Sequence, residues 1–271
     1  MKELIEHIEL LKKQFQQLNL LKPEDQQRLD KKFRLEWNYN SNHIEGNTLT
    51  YGETELLLIF DQTKGNHEFR EYEEMKGHDV ALKLVIDLAK DNERNLTEKF
   101  IRELNDVLLV RPFYKEAITP DGQSTRRLIK IGEYKSLPNS LRLANGEIFD
   151  YASPSETPAL MNDLMEWYHA ASNDNLQHSI EVAAELHYRF VRIHPFDDGN
   201  GRIARLLMNY HLIKNDYPPV IIKSTDKKKY LFVLHEADTG DISALKEYVA
   251  FALIDSLKTC IEIVQKQTPL K

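Results

Sequence analysis

The residues whose types and spacing could do chemistry together lie in one stretch of this 271-residue chain, His194 to Arg205, which reads His-Pro-Phe-Asp-Asp-Gly-Asn-Gly-Arg-Ile-Ala-Arg. An imidazole (His194), two carboxylates (Asp197 and Asp198) and a Gly-Asn-Gly run precede two arginines. Gly199 and Gly201 free the backbone for unusual dihedrals, so several N–H groups can converge on one anion. A helix starting near Asn200 adds its dipole and its unpaired N–H groups to that nest. Arg202 and Arg205 lie one turn apart and project from one side of such a helix. A base, a carboxylate for a hard divalent cation, an anion nest and two guanidiniums are the parts that phosphoryl-type transfer needs, because catalysis there is mostly positioning and charge stabilisation. Taken singly, each part has a plainer reading. A His before Pro is a loop residue, Gly-Asn-Gly is a turn, and arginines in a first helical turn form a solvated face.

Two helices must place these groups. Val182, Leu186, Phe190 and Ile193 fall at helical spacing, and Pro195 disfavours the α conformation at His194. A helix over 176–193 therefore ends just before the loop. The next runs from about Asn200 to Lys214. Ile203, Leu206, Leu207, Met208, Leu212 and Ile213 make it apolar on most sides, the pattern of a central buried helix. Arg202, Arg205 and Asn209 share one narrow face of it, where buried arginines need counter-charges.

The remaining chain reads mostly as helix. Residues 2 to about 20 carry an amphipathic stripe of Leu4, Ile8, Leu11, Phe15 and Leu18. Pro23 opens a second helix whose stripe is Leu29, Phe33, Trp37 and Ile44, stopped by Gly46. Thr50 and Glu53 form a capping box for a third. Residues 67–90 follow, with Tyr72, Met75, Val80, Leu84 and Leu88 among the apolar positions. Thr97 to Leu109, Thr157 to Ala170, Asp226 to about Ala237, and Asp241 or Ser243 to near Gln265 complete the helices. Arg111 to Lys130, with Pro112, Pro120 and Gly122, reads as loop. Asn139–Leu143 and Glu147–Tyr151 flank Ala144-Asn145-Gly146 and predict a hairpin, which must lean on the helical body. The expected division is 1–65, N-terminal helices, and 66–271, a catalytic domain with C-terminal helices.

Acidic and basic residues are mixed along the chain, with a net charge of −7. No dense basic stripe marks a nucleic-acid surface. The single cysteine, Cys260, excludes an internal disulfide and a Cys-based metal cage. There is no signal-peptide core and no apolar run long enough to span a bilayer, so a soluble, cytoplasmic protein without membrane contact is expected.

His194, Phe196, Asp198, Gly199, Asn200, Gly201, Arg202 and Arg205 together match His-x-Phe-x-Asp/Glu-Gly-Asn-Gly-Arg-x-x-Arg at every fixed position. This stretch resembles the signature of the Fic (filamentation induced by cAMP) family of nucleotidyltransferases. The resemblance implies a mostly α fold, a helical bundle around a central buried helix, with one small β-hairpin flap beside the active site. It implies transfer of AMP from ATP to a Ser, Thr or Tyr hydroxyl of a target protein. His194 would be the general base and Asp198 the ligand of Mg²⁺. Gly199, Asn200 and Gly201 would supply the anion nest, with Arg202 on the β-phosphate and Arg205 on the γ-phosphate. Phe196 would anchor the loop in the core.

Three further segments carry the resemblance beyond the signature. Ser41-x-x-x-Glu45-Gly46, followed by Asn47-Thr48-Leu49-Thr50, is similar to the inhibitory motif of Fic proteins that carry it N-terminal to the core. There the glutamate pairs with the second signature arginine, here Arg205, and Ser41, one turn earlier, would help to hold it. Read alone, Glu45 is an exposed helix-end carboxylate. Gly132-Glu-Tyr-Lys135, the hairpin and Ser155–Pro158 resemble the flap, whose Asn139, Ser140, Leu141 and Arg142 would bind the target. Family members usually have Arg at the place of Lys135 and an apolar residue near Asn139. Tyr230 to Asp241 resembles the segment around the adenine. Tyr230 and Leu234 would pack on the base, and Asp238 stands where an asparagine often contacts the purine. Plain core packing is the other reading of that segment.

Two alternatives stay open. One is removal of AMP from a modified protein, with Glu45 placing a water, or another Fic-type nucleotide transfer. The Doc-type kinases replace the first signature glycine, whereas Gly199 is intact. The other is a nucleotide-sensing regulatory protein with little turnover. The partners expected are ATP and an unidentified target protein, with self-modification. The sequence leaves the oligomeric state open, a homo-oligomer included.

Overall fold

The computed structural model describes residues 1–18, 22–119, 122–142, 148–174 and 176–265. Among these, ten helices and two small sheets follow in order. Helices α1 (Lys2–Gln17), α2 (Pro23–Ile44), α3 (Tyr51–Phe60), α4 (Phe69–Lys90) and α5 (Glu98–Leu109) come first. Strands β1 (Phe113–Ile118), β2 (Ser124–Ile129), β3 (Ser140–Arg142) and β4 (Ile148–Asp150) follow. Helices α6 (Thr157–Ser172), α7 (Ser179–Ile193), α8 (Asn200–Lys214), α9 (Lys227–Glu236) and α10 (Ser243–Gln265) complete the chain. No helix of the described residues is long and apolar enough to cross a membrane.

The axis of the molecule is α8, as its sequence pattern predicts. From Asn200 to Leu212 every residue except Gly201 is buried. Ile203, Leu206, Leu207 and Tyr210 face one core. Phe190 of α7, Leu82 and Val85 of α4, Leu104 and Leu108 of α5, and Leu29, Phe33 and Trp37 of α2 belong to the same core. Met208 and Leu212 face a second core, shared with Ile8 and Leu11 of α1, Ile44 of α2 and Leu245 to Ile261 of α10. Each fully buried aliphatic side chain contributes roughly 1.5–3 kcal/mol. The two-sided burial of α8 therefore holds its arginine-bearing first turn in place, where propensity alone would let a helix end fray. The N-terminal helices are part of these cores, α1 lying along α10 and α2 along α4.

Local signals set the element ends. Thr50 and Glu53 form the expected capping box on α3, and Thr97 caps α5 through its hydroxyl. Asp241 accepts from the Ser243 N–H ahead of α10, whereas Asp226 precedes α9 without a side-chain cap. The stripe of α4 differs from expectation. Met75, Leu82, Val85 and Leu88 are buried, while Val80 and Leu84 are exposed, because α4 turns its other sides to α2, α5 and α8.

The segment from Arg111 to Lys130 is a hairpin rather than a loop. Strands β1 and β2 pair antiparallel from Phe113↔Ile129 to Ile118↔Ser124. Lys115 and Arg127 are directly opposite each other on the same face as Phe113 and Ile129. Charges at inward positions interrupt the period-2 apolar pattern that marks a strand. The one hairpin expected exists as β3–β4, paired Ser140↔Asp150 to Arg142↔Ile148. Its turn at Ala144-Asn145-Gly146 lies outside the described residues.

Candidate active site

The loop between α7 and α8 is held shut by its own side chains. Asn200 Oδ1 accepts the Phe196 N–H at 2.9 Å and its Nδ2 donates to the Phe196 carbonyl at 2.8 Å. Phe196 is fully buried, anchoring the loop as expected. The side chain of Asn200 thus closes the nest rather than facing a ligand. Gly199 caps α8 at φ +85°, a left-handed conformation that glycine adopts without strain. A Cβ at Gly201 would lie 2.4 Å from Glu45 Oε1, so the bare glycine leaves room for the carboxylate in its present position.

His194 ends α7 in the left-handed conformation, φ 51°. Its ring stacks on Tyr151, just beyond β4, with centroids 4.0 Å apart and planes 17° from parallel. Burial, then the positive charge of Lys135, push its pKa down to about 4, against the opposing pull of the Val191 carbonyl. The imidazole is therefore neutral near pH 7, the form that can accept a proton. Lys135 is itself buried, donating from Nζ to the Ile193 carbonyl at 3.0 Å and from its backbone N–H to Pro195. It holds the backbone on both sides of His194, and burial followed by the Arg127 charge lowers its own pKa to about 8.

The two neighbouring carboxylates take different partners, both from the unforeseen hairpin. Asp198 accepts from Lys115 Nζ at 2.8 Å and from the Gly199 N–H at 2.6 Å. Burial pushes its pKa up, but the Arg202 and Lys115 charges outweigh this and hold it below the usual carboxylate range. Asp197 pairs with Arg127 and accepts from the Lys130 N–H. The cross-strand pair Lys115 and Arg127 thus straddles the loop, one cation per carboxylate. Arg127 also donates to Asn139 Oδ1 (2.9 Å), and Asn139 Nδ2 to the Phe196 carbonyl (2.9 Å). Asn139 is in this way the hinge between the β3–β4 flap and the loop. Ser140 bonds to Asp150 across the flap, and the backbones of Leu141 and Arg142 complete β3.

Arg202 and Arg205 are both buried and both have counter-charges. Arg202 pairs with Glu74 of α4 at 3.0 Å and with Asp198 at 3.4 Å. Arg205, 3% exposed, donates to Glu45 Oε1 at 2.7 Å. The C-terminal end of α2 therefore lies over the first turn of α8, bringing together the two residues that the inhibitory motif pairs. Burial raises the Glu45 pKa, but the charges of Arg205 and Arg202 overcome it and keep the carboxylate ionised. Ser41 acts on the arginine rather than on the glutamate: its Oγ accepts from Arg205 Nε at 3.0 Å and its carbonyl from NH2 at 2.9 Å.

Glu45, Lys115, Asn139, His194, Asp197, Gly201 and Arg205 line one cleft of ≈ 690 Å³, together with Tyr230 and Leu234. Tyr230 is buried, its hydroxyl hydrogen-bonded to His187 at 2.8 Å. Asp238 is engaged elsewhere, by Arg192 at 3.1 Å and the Tyr188 hydroxyl at 3.2 Å. Sequence reasoning missed Glu74, Lys115, Arg127 and Tyr151. Nothing local marks them, since each reaches the loop from a distant element.

Comparison with known proteins agrees with this geometry. Residues 95–212 match the model of the Fic/DOC family. The chain is 46% identical to a Fic-domain-containing signalling protein from Bacteroides thetaiotaomicron, with a TM-score of 0.89 over 98% of this chain and 99% of that one. A fragment of Fic-1 from C. elegans is 25% identical, with a TM-score of 0.80 over 98% of this chain and 73% of that one. The protein adenylyltransferase Fic of Nematostella vectensis is 33% identical over 216 residues, 78% of this chain and 45% of that protein. The chain spans less than half the length of the curated relatives it matches.

Proposed function

The chain belongs to the Fic/DOC family, and from that premise we propose that it is a protein adenylyltransferase, moving AMP from ATP to a hydroxyl of a protein target and restrained by its own Glu45. The observation that carries this reading is that His194 and Arg205 line one cleft with Glu45 seated on Arg205, while Asp198, paired with Arg202, is tied to the cleft residue Lys115. The neutral His194 ring takes the proton of the attacking hydroxyl. Arg202 and Arg205 take the β- and γ-phosphates, and the nest before α8 receives phosphate oxygens. Glu45, while paired, occupies the place of the γ-phosphate, so a bound nucleotide sits with its α-phosphorus misaligned for in-line attack, which is costly in rate.

The donor set fits Mg²⁺ arriving with the nucleotide. Asp198 is held ionised and reaches the cleft residue Lys115, while the described residues hold no group of three or more metal-capable side chains. Mg²⁺ is commonly held by one or two carboxylates together with substrate phosphates and water. Asp198 would hold it, and the ion would neutralise charge on the polyphosphate. Lys115 must then release Asp198 Oδ2.

Incubation with ATP labelled on the α-phosphate tests the reading. Label on protein, stronger in Glu45→Gly, supports transfer. Bound but unreacted nucleotide in both forms would replace it with the sensor reading. The target protein is the quantity to seek next, by labelling lysate with an adenine-tagged ATP analogue and the Glu45→Gly form.

A further inference from the structure

The Glu45–Arg205 pair ends a hydrogen-bond chain that runs through Ser41 to His78, Asn38, Asp79 and Arg34, four residues outside both motifs. Asp79 on α4 takes Arg34 of α2 through both oxygens, at 2.7 and 2.8 Å. Asn38 Nδ2 donates to Asp79 at 2.9 Å and to the Arg34 carbonyl at 2.9 Å. Both amide hydrogens are then spent, so Asn38 presents Oδ1 to His78 Nδ1, 2.6 Å away. That nitrogen carries the ring proton, and Nε2 is left as an acceptor. Burial, followed by the charges of Arg202 and Arg205, lowers the His78 pKa to about 3, so the ring stays singly protonated. Nε2 accepts from the Ser41 hydroxyl at 3.0 Å, and the Ser41 oxygen accepts from Arg205 Nε. Asn38 and His78 are fully buried, and Ser41 is 2% exposed. The donor-to-acceptor order is therefore fixed at every link, from Asp79 to the guanidinium.

We propose that His78 is the positioning residue for Arg205: through Ser41 it holds the guanidinium ready for the terminal phosphate of a nucleoside triphosphate, whether or not Glu45 is in place. This rests on the nucleotide reading above. Arg205 NH2 is shared between Glu45 and the Ser41 carbonyl, so departure of Glu45 leaves both Ser41 bonds intact, with the Tyr230 hydroxyl also beside the guanidinium. Without an acceptor at His78, the Ser41 hydroxyl is free to turn its proton toward Arg205 Nε, and the long arginine side chain regains rotamer freedom. The loss falls on the γ-phosphate alone.

ATP and ADP therefore separate this role from a general packing role. In a Glu45→Gly background, calorimetry with each nucleotide and Mg²⁺ should show His78→Leu weakening ATP about tenfold, the scale of one charged hydrogen bond, with ADP within about twofold. His78→Gln, whose side-chain oxygen can stand in for Nε2, should keep most of the ATP affinity. Ser41→Ala removes the same link without emptying the His78 site and should give the same ATP-selective loss, should His78→Leu fail to fold. An unchanged ATP/ADP ratio in His78→Leu and Ser41→Ala, or equal losses for both nucleotides, would overturn the proposal. If the Glu45→Gly parent already shows no preference for ATP over ADP, the nucleotide reading itself fails, before His78 is touched.

Discussion

Replacement of Glu45 by glycine should raise AMP transfer, and the structure says by how much and in which kinetic constant. The carboxylate makes a 2.7 Å charge-assisted bond to an arginine that is 3% exposed, but its own side chain is 36% exposed. A buried bond of this kind contributes about 1.5–3 kcal/mol. The open side of the carboxylate moves the value toward the surface range, roughly 1–2 kcal/mol. At 1.4 kcal/mol per decade, ATP should bind about 5–30-fold more tightly once the pair is gone. That part of the gain appears in KM and vanishes at saturating ATP. A gain that persists at saturation measures the misalignment of the α-phosphorus and appears in kcat. Glu45 is the C-cap of α2, so its truncation removes no helical turn. Glu45→Gln keeps the shape without the charge and should fall between the two. Glu45→Gly combined with Arg205→Ala should return to low activity, because the released partner is missing. Intact-mass spectrometry with Mg²⁺ over a range of ATP concentrations would follow added AMP, on the protein itself or on a captured target. Equal rates for wild type and Glu45→Gly at every ATP concentration would refute the inhibitory role of the pair.

Three further outcomes follow from the same geometry. His194→Ala should abolish transfer while calorimetric ATP affinity stays within about threefold, since binding rests on the nest and arginines; transfer at a comparable rate would remove the base assignment. Asp198→Ala should eliminate the Mg²⁺-dependent rate. Asp197→Ala should instead loosen the β1–β2 hairpin, costing roughly 1–3 kcal/mol in chemical denaturation because Arg127 keeps its carbonyl and Asn139 partners; a reversed ranking in a Mg²⁺ titration would put the metal on the other carboxylate. The His194 ring should remain neutral at pH 5.5 by NMR. Its folded pKa of about 4 lies below the free value, so its stabilising contribution is complete above pH 6.5 and declines as pH falls toward 4; a ring already charged at pH 5.5 would contradict the burial argument.

The chemistry was legible in the sequence where it is local. The run from His194 to Arg205 shows its spacing directly, and α8 shows its burial through an apolar surface on nearly all sides. The pairing of Glu45 with Arg205, 160 residues apart, came only through likeness to an inhibitory motif; the apolar stripe of α2 says that the helix docks but not where its end comes to rest. The β1–β2 hairpin was hidden because its inward face carries Lys115 and Arg127, charges that read as solvent-facing until two carboxylates are placed opposite them. Ser41 was assigned to the wrong side of the ion pair for a similar reason. One turn of helix puts Ser41 and Glu45 on the same face, but only tertiary structure shows that the arginine lies between them.

The ionic pairing of the cleft has a consequence for how ligand arrives. Glu45 with Arg205, Glu74 with Arg202, Lys115 with Asp198 and Arg127 with Asp197 leave each of these charges cancelled by a neighbour. A polyphosphate entering such a cleft does not drop into a positive funnel. It exchanges one anion for another on the same cations, with a carboxylate released for each arginine it takes. These pairs therefore add little long-range attraction for a polyphosphate, and the chain's net charge of −7 adds none. Selectivity for the nucleotide then resides in the exchange, after contact, and not in long-range attraction.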